Sequence, residues 1–257
     1  MKKIVKAALA TTAIVSAFAA APAFADDAKG PITVTGSVDI TTQYRLRGIS
    51  QTDNDAAIQG GITISHESGF YIGTWASNLA GYGSFGGSNM ELDLIGGYTK
   101  AVGPVTLDGG VVYYVYPGAN GHPAGVNYDY FELYASAAGK VGPLNAKLGT
   151  YWAPKQTNIG GHNIWVYTDW GLPISGTPIT LKAHGGYSSG NSGYTKGLDV
   201  VDYSVGADLA YKNLTFNVSY VGTDVSRANA FLWDSTGNAS GRSITRGNVV
   251  ATLTAAF

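Results

Sequence analysis

The chain has 257 residues, no cysteine, 36 glycines, 17 tyrosines and 13% charged residues. Its formal charge of −1 gives no basic excess for nucleic acid, and without cysteine there is neither a disulfide scaffold nor a thiolate metal site. Stability must come from burial or from a lipid environment.

In chain order, Lys2, Lys3 and Lys6 precede a small apolar run, Ala7 to Ala21, and the tripeptide Ala23-Phe24-Ala25. This pattern predicts a cleaved signal peptide over residues 1–25 and export to the outer membrane of a Gram-negative bacterium. The run is shorter than the ~20 residues of a spanning helix. Its removal takes three lysines, leaving 13 basic against 17 acidic residues, a net charge of −4.

Residues 26–257 read as alternating segments joined by two classes of connection. Glu67-Ser68-Gly69, Gly103-Pro104, Gly142-Pro143, Ser175 to Pro178 and Lys212-Asn213 are compact turns. Between them lie longer polar or glycine-rich stretches: Gly48 to Ala56, Leu79 to Asn89, Pro117 to Asn127, Ala153 to Asn163, Ser188 to Asp199 and Gly222 to Ser243. Six long and five short connections imply twelve strands in one domain. No apolar run suffices for a helical span, so a membrane location requires a closed barrel. The predicted fold is all-β, a 12-stranded antiparallel transmembrane β-barrel of outer-membrane type.

The strand faces alternate. Strand one is predicted to place Val34, Val38, Ile40, Tyr44 and Leu46 toward lipid. Asp39, Gln43, Arg45 and Arg47 then share a lumen-facing row. Strand four sets Met90, Leu92, Leu94 and Tyr98 against Glu91 and Asp93, and strand five sets Leu107, Val111 and Tyr113 against Asp108 and Tyr114. Tyr44, Tyr98, Tyr113, Trp152, Trp170, Tyr211 and Tyr220 suggest interfacial girdles. The final strand runs Val249, Ala251, Leu253, Ala255, Phe257 on its apolar face, and Phe257 is the candidate assembly signal. A soluble sandwich would also alternate, but with its charges outward.

The run Tyr44-Arg45-Leu46-Arg47-Gly48-Ile49-Ser50-Gln51-Thr52 is followed by Gln59-Gly60-Gly61 and by Gly69 to Asn78. Together they resemble the TorF porin family of proteobacterial outer-membrane proteins, also described as the Gcw_chp family. Glu91 to Tyr98 is similar to a further block of that family, with Ile95 and Leu46 standing where the family tends to have aromatics. The resemblance implies a porin-like barrel and brings no catalytic residues or substrate.

Candidate lumen or constriction residues are therefore Asp39, Gln43, Arg45, Arg47, Glu91, Asp93 and Asp108. They would either filter solutes or brace the wall by pairing the two arginines with Glu91, Asp93 or Asp108. Glu132, Asp169, Asp202, Asp208, Lys147, Lys182 and Arg246 complete the expected lumen charges, with a mild acidic excess. The four histidines, His66, His122, His162 and His184, share no metal-ligand spacing. His184 has Ser188 and Ser204 nearby in the pattern, but an ordinary lumen histidine is the simpler reading. The longest loop, from Gly222, either folds into the lumen or stands solvated.

These observations predict a passive channel for small hydrophilic solutes. No enzymatic activity, cofactor, metal or nucleic-acid partner is expected. The expected partners are outer-membrane lipid and, during biogenesis, the barrel assembly machinery. A closed barrel acting as a surface receptor or lipid-modifying enzyme is the alternative, and a soluble exported β-protein a weaker third.

Overall fold

A computed structural model describes residues 30–119, 128–234 and 240–257. The predicted signal segment and His122 lie outside the described residues. The barrel strands are β1 (Ile32–Thr41), β2 (Ala57–His66), β3 (Phe70–Asn78), β4 (Met90–Val102), β5 (Val105–Val115) and β6 (Tyr130–Val141). They continue as β7 (Leu144–Ala153), β8 (Asn163–Pro173), β9 (Ile179–Gly190), β10 (Val200–Tyr211), β11 (Leu214–Thr223) and β12 (Asn248–Ala256). Each pairs antiparallel with the next, and β12 returns to β1, closing a twelve-stranded barrel. Closure leaves no strand edge unpaired, which is what lipid requires of a β-structure.

Local sequence explains the tight hairpins. Gly103 and Gly142 adopt positive φ (59° and 60°), each followed by proline, between strand ends that pair directly. A two-residue hairpin loop needs this first-position geometry to match strand twist. The final pairing carries register to the chain's last residue. Gly36 N–H donates to the Phe257 carbonyl at 2.8 Å, and Phe257 N–H donates back at 2.9 Å. The Phe257 ring lies over Gly36, where a Cβ would come within 2.7 Å of it.

The outer wall is apolar. Val34, Val38 and Ile40 on β1, Leu94 on β4, Leu148 on β7 and Val205 on β10 are all exposed on the isolated barrel. Their strand neighbours point inward, and Gln59, Glu91, Asp93, Glu132, Asp169, Lys182 and Asp202 are buried there. Polar-in, apolar-out alternation is the reverse of a soluble sandwich.

Strand one departs from its expected length. It stops at Thr41, and residues 43–52, all buried, turn into the barrel. Tyr44 and Leu46, predicted on the lipid face, are 2% and 3% exposed and belong to the interior cluster. The cause is a second, miniature hairpin in which Arg45 pairs with Ser50 and Leu46 with Ile49. Its turn residues, Arg47 and Gly48, both take positive φ (49° and 78°), which strand-period reading of the sequence does not detect.

Candidate lumen constriction

The inward hairpin places two guanidinium groups with different tasks. Arg45 stays near the wall it came from. Its Nε donates to Gln43 Oε1 at 2.8 Å, and Nη1 donates to the carbonyls of Gly48, Ile244 and Arg246 at 2.7, 3.3 and 3.0 Å. Nη2 reaches Asn54 Oδ1 at 3.2 Å. Burial, with Arg246 nearby, pulls the Arg45 guanidinium down to about 10.

Arg47 instead crosses the lumen. Its Nη2 donates to both oxygens of Glu132 on β6, at 2.8 and 2.7 Å, with both side chains buried. The guanidinium carbon also lies 4.7, 5.0 and 5.9 Å from the ring centres of Tyr194, Trp165 and Tyr151. Ion pair and cation–π contact hold the same group. Glu132 further accepts from Tyr114 Oη at 2.9 Å. The expected bracing partners were Glu91, Asp93 or Asp108, and the structure replaces them with Glu132. The reason is reach: the hairpin carries Arg47 away from β1, so it meets a strand far around the barrel.

Tyr44 forms the second latch. Its hydroxyl donates to Glu91 Oε1 at 2.8 Å, and its ring packs edge-on against Trp75 at 5.3 Å. Tyr116 Oη occupies Glu91 Oε2 at 3.0 Å. Two residues along, Asp93 is fully buried and neither oxygen has a hydrogen-bond partner. Asp108 stands further down the wall, half-buried, accepting from Tyr71 Oη at 2.8 Å. Asp39 is also half-buried, opposite Thr254 and Gln59 in the register of β1. Among the candidates, the structure joins Gln43 with Arg45 and sets Glu91 beside Asp93. Arg45 and Arg47 diverge, and neither shares a row with Asp39. Arg246, counted among lumen charges, is exposed.

Apart from Tyr114, which parity placed on the inner face of its strand, the interior aromatics went unrecognised in the sequence. Tyr134, Tyr151, Trp165 and Tyr167 form a run of ring contacts along the inner wall of β6, β7 and β8. Tyr114 stacks on Tyr130 at 4.5 Å. Strand parity was the available signal, since these residues alternate with lipid-facing neighbours. His184 lies opposite Ser204 in the register of β9 and β10, but both ring nitrogens are taken by carboxylates, Nδ1 2.6 Å from Asp169 and Nε2 2.8 Å from Asp202. Trp165 Nε1 donates to the second Asp202 oxygen at 2.8 Å. Lys182 lies 3.6 Å from Asp208. Among the described residues no group of three His, Cys, Asp or Glu side chains is arranged for a metal ion. From the longest loop, Ala230, Trp233 and Ile244 pack with Ile49 at the hairpin and with Val200 and Val225.

The family model for Gcw_chp, described as a bacterial protein of unknown function, matches residues 25–257. The chain belongs to the Gcw_chp family. A comparison with curated proteins gave no match. This Gcw_chp barrel is similar in structure to the KdgM porin, solved in complex with oligogalacturonate. The TM-score is 0.51 at 8% identity, covering 87% of this chain and 98% of that one. It is also similar to the NanC porin, with TM-score 0.50, 12% identity and coverage of 86% and 98%. At such identities the likeness concerns the fold of the Gcw_chp barrel.

Proposed function

We propose that this protein is an outer-membrane channel through which small hydrophilic solutes diffuse passively, and that its first loop sets the constriction. An apolar outer wall, a charged interior and porin-like architecture support the membrane channel reading. The observation that carries it is the Arg47–Glu132 bridge, which fixes an inward loop across the lumen. Twelve strands fall between the small filled barrels of about eight strands and the open porins of about 16–18. A loop-narrowed pore fits that size. Transport then needs no cofactor or energy input. Biogenesis would follow the route of other exported barrels, through the assembly machinery.

The same bridge favours a second reading, a resting barrel closed by its loop and acting as a surface receptor. Planar-bilayer recording of the refolded chain separates them. The channel reading expects discrete conductance steps that enlarge in Arg47→Ala. Silence from both folded proteins overturns it.

A further inference from the structure

We infer that Asp93 and Glu91 form the anionic side of a binding site for a solute bearing a primary ammonium group, with Trp75, Tyr114 and Tyr44 as its aromatic walls. In strand register Asp93 sits between Trp75 on β3 and Tyr114 on β5, so both rings share its inner face. Tyr44 closes over the same place, touching Trp75 with its ring and Glu91 with its hydroxyl.

Acidic side chains outnumber basic ones at this place. Glu91, Asp93 and Glu132 are all buried, and Arg47 gives its Nη2 to Glu132, while its Nε and Nη1 have no hydrogen-bond partner. Among the described residues no ion pair reaches Glu91 or Asp93. Glu91 has two tyrosine donors, whereas both Asp93 oxygens lack any. A buried carboxyl group without donors either holds a proton or keeps a place for a ligand that supplies the donors, and the arrangement of its neighbours points to the second. Tyr130 gives independent support. It is 1% exposed, stacks on Tyr114, and its hydroxyl is likewise unpartnered, offering a further acceptor.

The chemistry of the walls selects the class of ligand. Ring faces attract organic cations. A divalent metal would need several oxygen ligands converging on one point, and among the described residues no three His, Cys, Asp or Glu side chains are so arranged. An N–H-bearing ammonium satisfies both Asp93 oxygens, which a quaternary ammonium does not.

The inference rests on the channel reading for access, since a solute reaches the site through the lumen as the Tyr44 loop shifts. Its test does not need conduction. The refolded full chain in detergent is titrated calorimetrically with ethanolamine, ethylene glycol, glycolate and potassium chloride. Saturable heat from ethanolamine alone is expected, weakened at least tenfold in Asp93→Asn and unchanged in Asp208→Asn, with folding checked by heat-modifiable gel migration. If Asp93→Asn does not fold, Trp75→Leu keeps the carboxylate, removes one wall and is expected to weaken binding as well. Absence of ethanolamine binding, equal binding of ethylene glycol or potassium, or unchanged binding in the folded variants overturns the inference. Lost binding with normal conductance removes the site alone. Retained binding without conductance removes the channel reading alone.

Discussion

Arg47 and Glu132 are separated by 85 residues in sequence and by 2.7 Å in space. One lies on a loop hairpin and the other on a barrel strand, so their bridge converts a connection into an internal crossbar. Truncating Arg47 to alanine leaves Glu132 buried and uncompensated, at a cost of about 3–5 kcal/mol. We expect a lowered unfolding temperature and a larger unitary conductance. The double variant Arg47→Ala/Glu132→Ala is expected to recover part of the stability and none of the constriction. Additive losses in that cycle would show that the two residues act separately.

Gly48 holds the tip of the same hairpin. Its φ is +78°, and a Cβ there would lie 2.6 Å from the Gly222 carbonyl oxygen and from Thr223 Cγ2. Gly48→Ala therefore meets both a left-handed backbone, worth about 1–2 kcal/mol, and the Gly222 carbonyl oxygen, a backbone atom that cannot step aside. The expected outcome is an assembled barrel with a loosened loop, read as faster proteolysis within 42–56.

Tyr44→Phe keeps the ring against Trp75 and removes the hydroxyl from Glu91. A buried hydrogen bond contributes about 0.5–1.5 kcal/mol, and up to about 3 where the acceptor is ionised. Thermal unfolding of the variant should fall within that window. A loss as large as that of Tyr44→Ala would assign the effect to packing instead.

His184 keeps two carboxylates apart. Both ring nitrogens face carboxylate oxygens, a geometry in which a doubly protonated ring donates twice. His184→Ala leaves Asp169 and Asp202 facing one another in the lumen. The reversal potential in a potassium chloride gradient should move toward greater cation selectivity, and an unchanged potential would place the conduction path elsewhere.

Phe257 contributes the last two backbone bonds of the β1–β12 seam and covers Gly36 with its ring. Its deletion is expected to reduce the heat-modifiable, folded form in outer-membrane fractions several-fold. Barrels that do assemble should conduct normally, because the residue faces away from the lumen.

Legibility divided along a physical line. The strand count, the short turns and the faces of β4, β5, β10 and β11 followed from period-two alternation and from Gly-Pro or Lys-Asn punctuation. Those signals are local, so one strand's sequence states them in full. The same logic failed one residue past Thr41. Gln43, Arg45 and Arg47 continue the alternation in sequence, while the chain has already left the sheet. Tyr44 was assigned to an aromatic girdle because tyrosine suits an interface and a lumen equally well.

By itself the sequence determined that this chain closes into a polar-lined barrel with an apolar wall. Alternation and backbone hydrogen bonding admit no other arrangement once lipid surrounds the strands. Only the tertiary structure decided what fills the interior. The Arg47–Glu132 bridge, the Tyr44–Glu91 bond and the unpartnered Asp93 depend on where distant strands meet across the lumen, and no period along the chain encodes that distance.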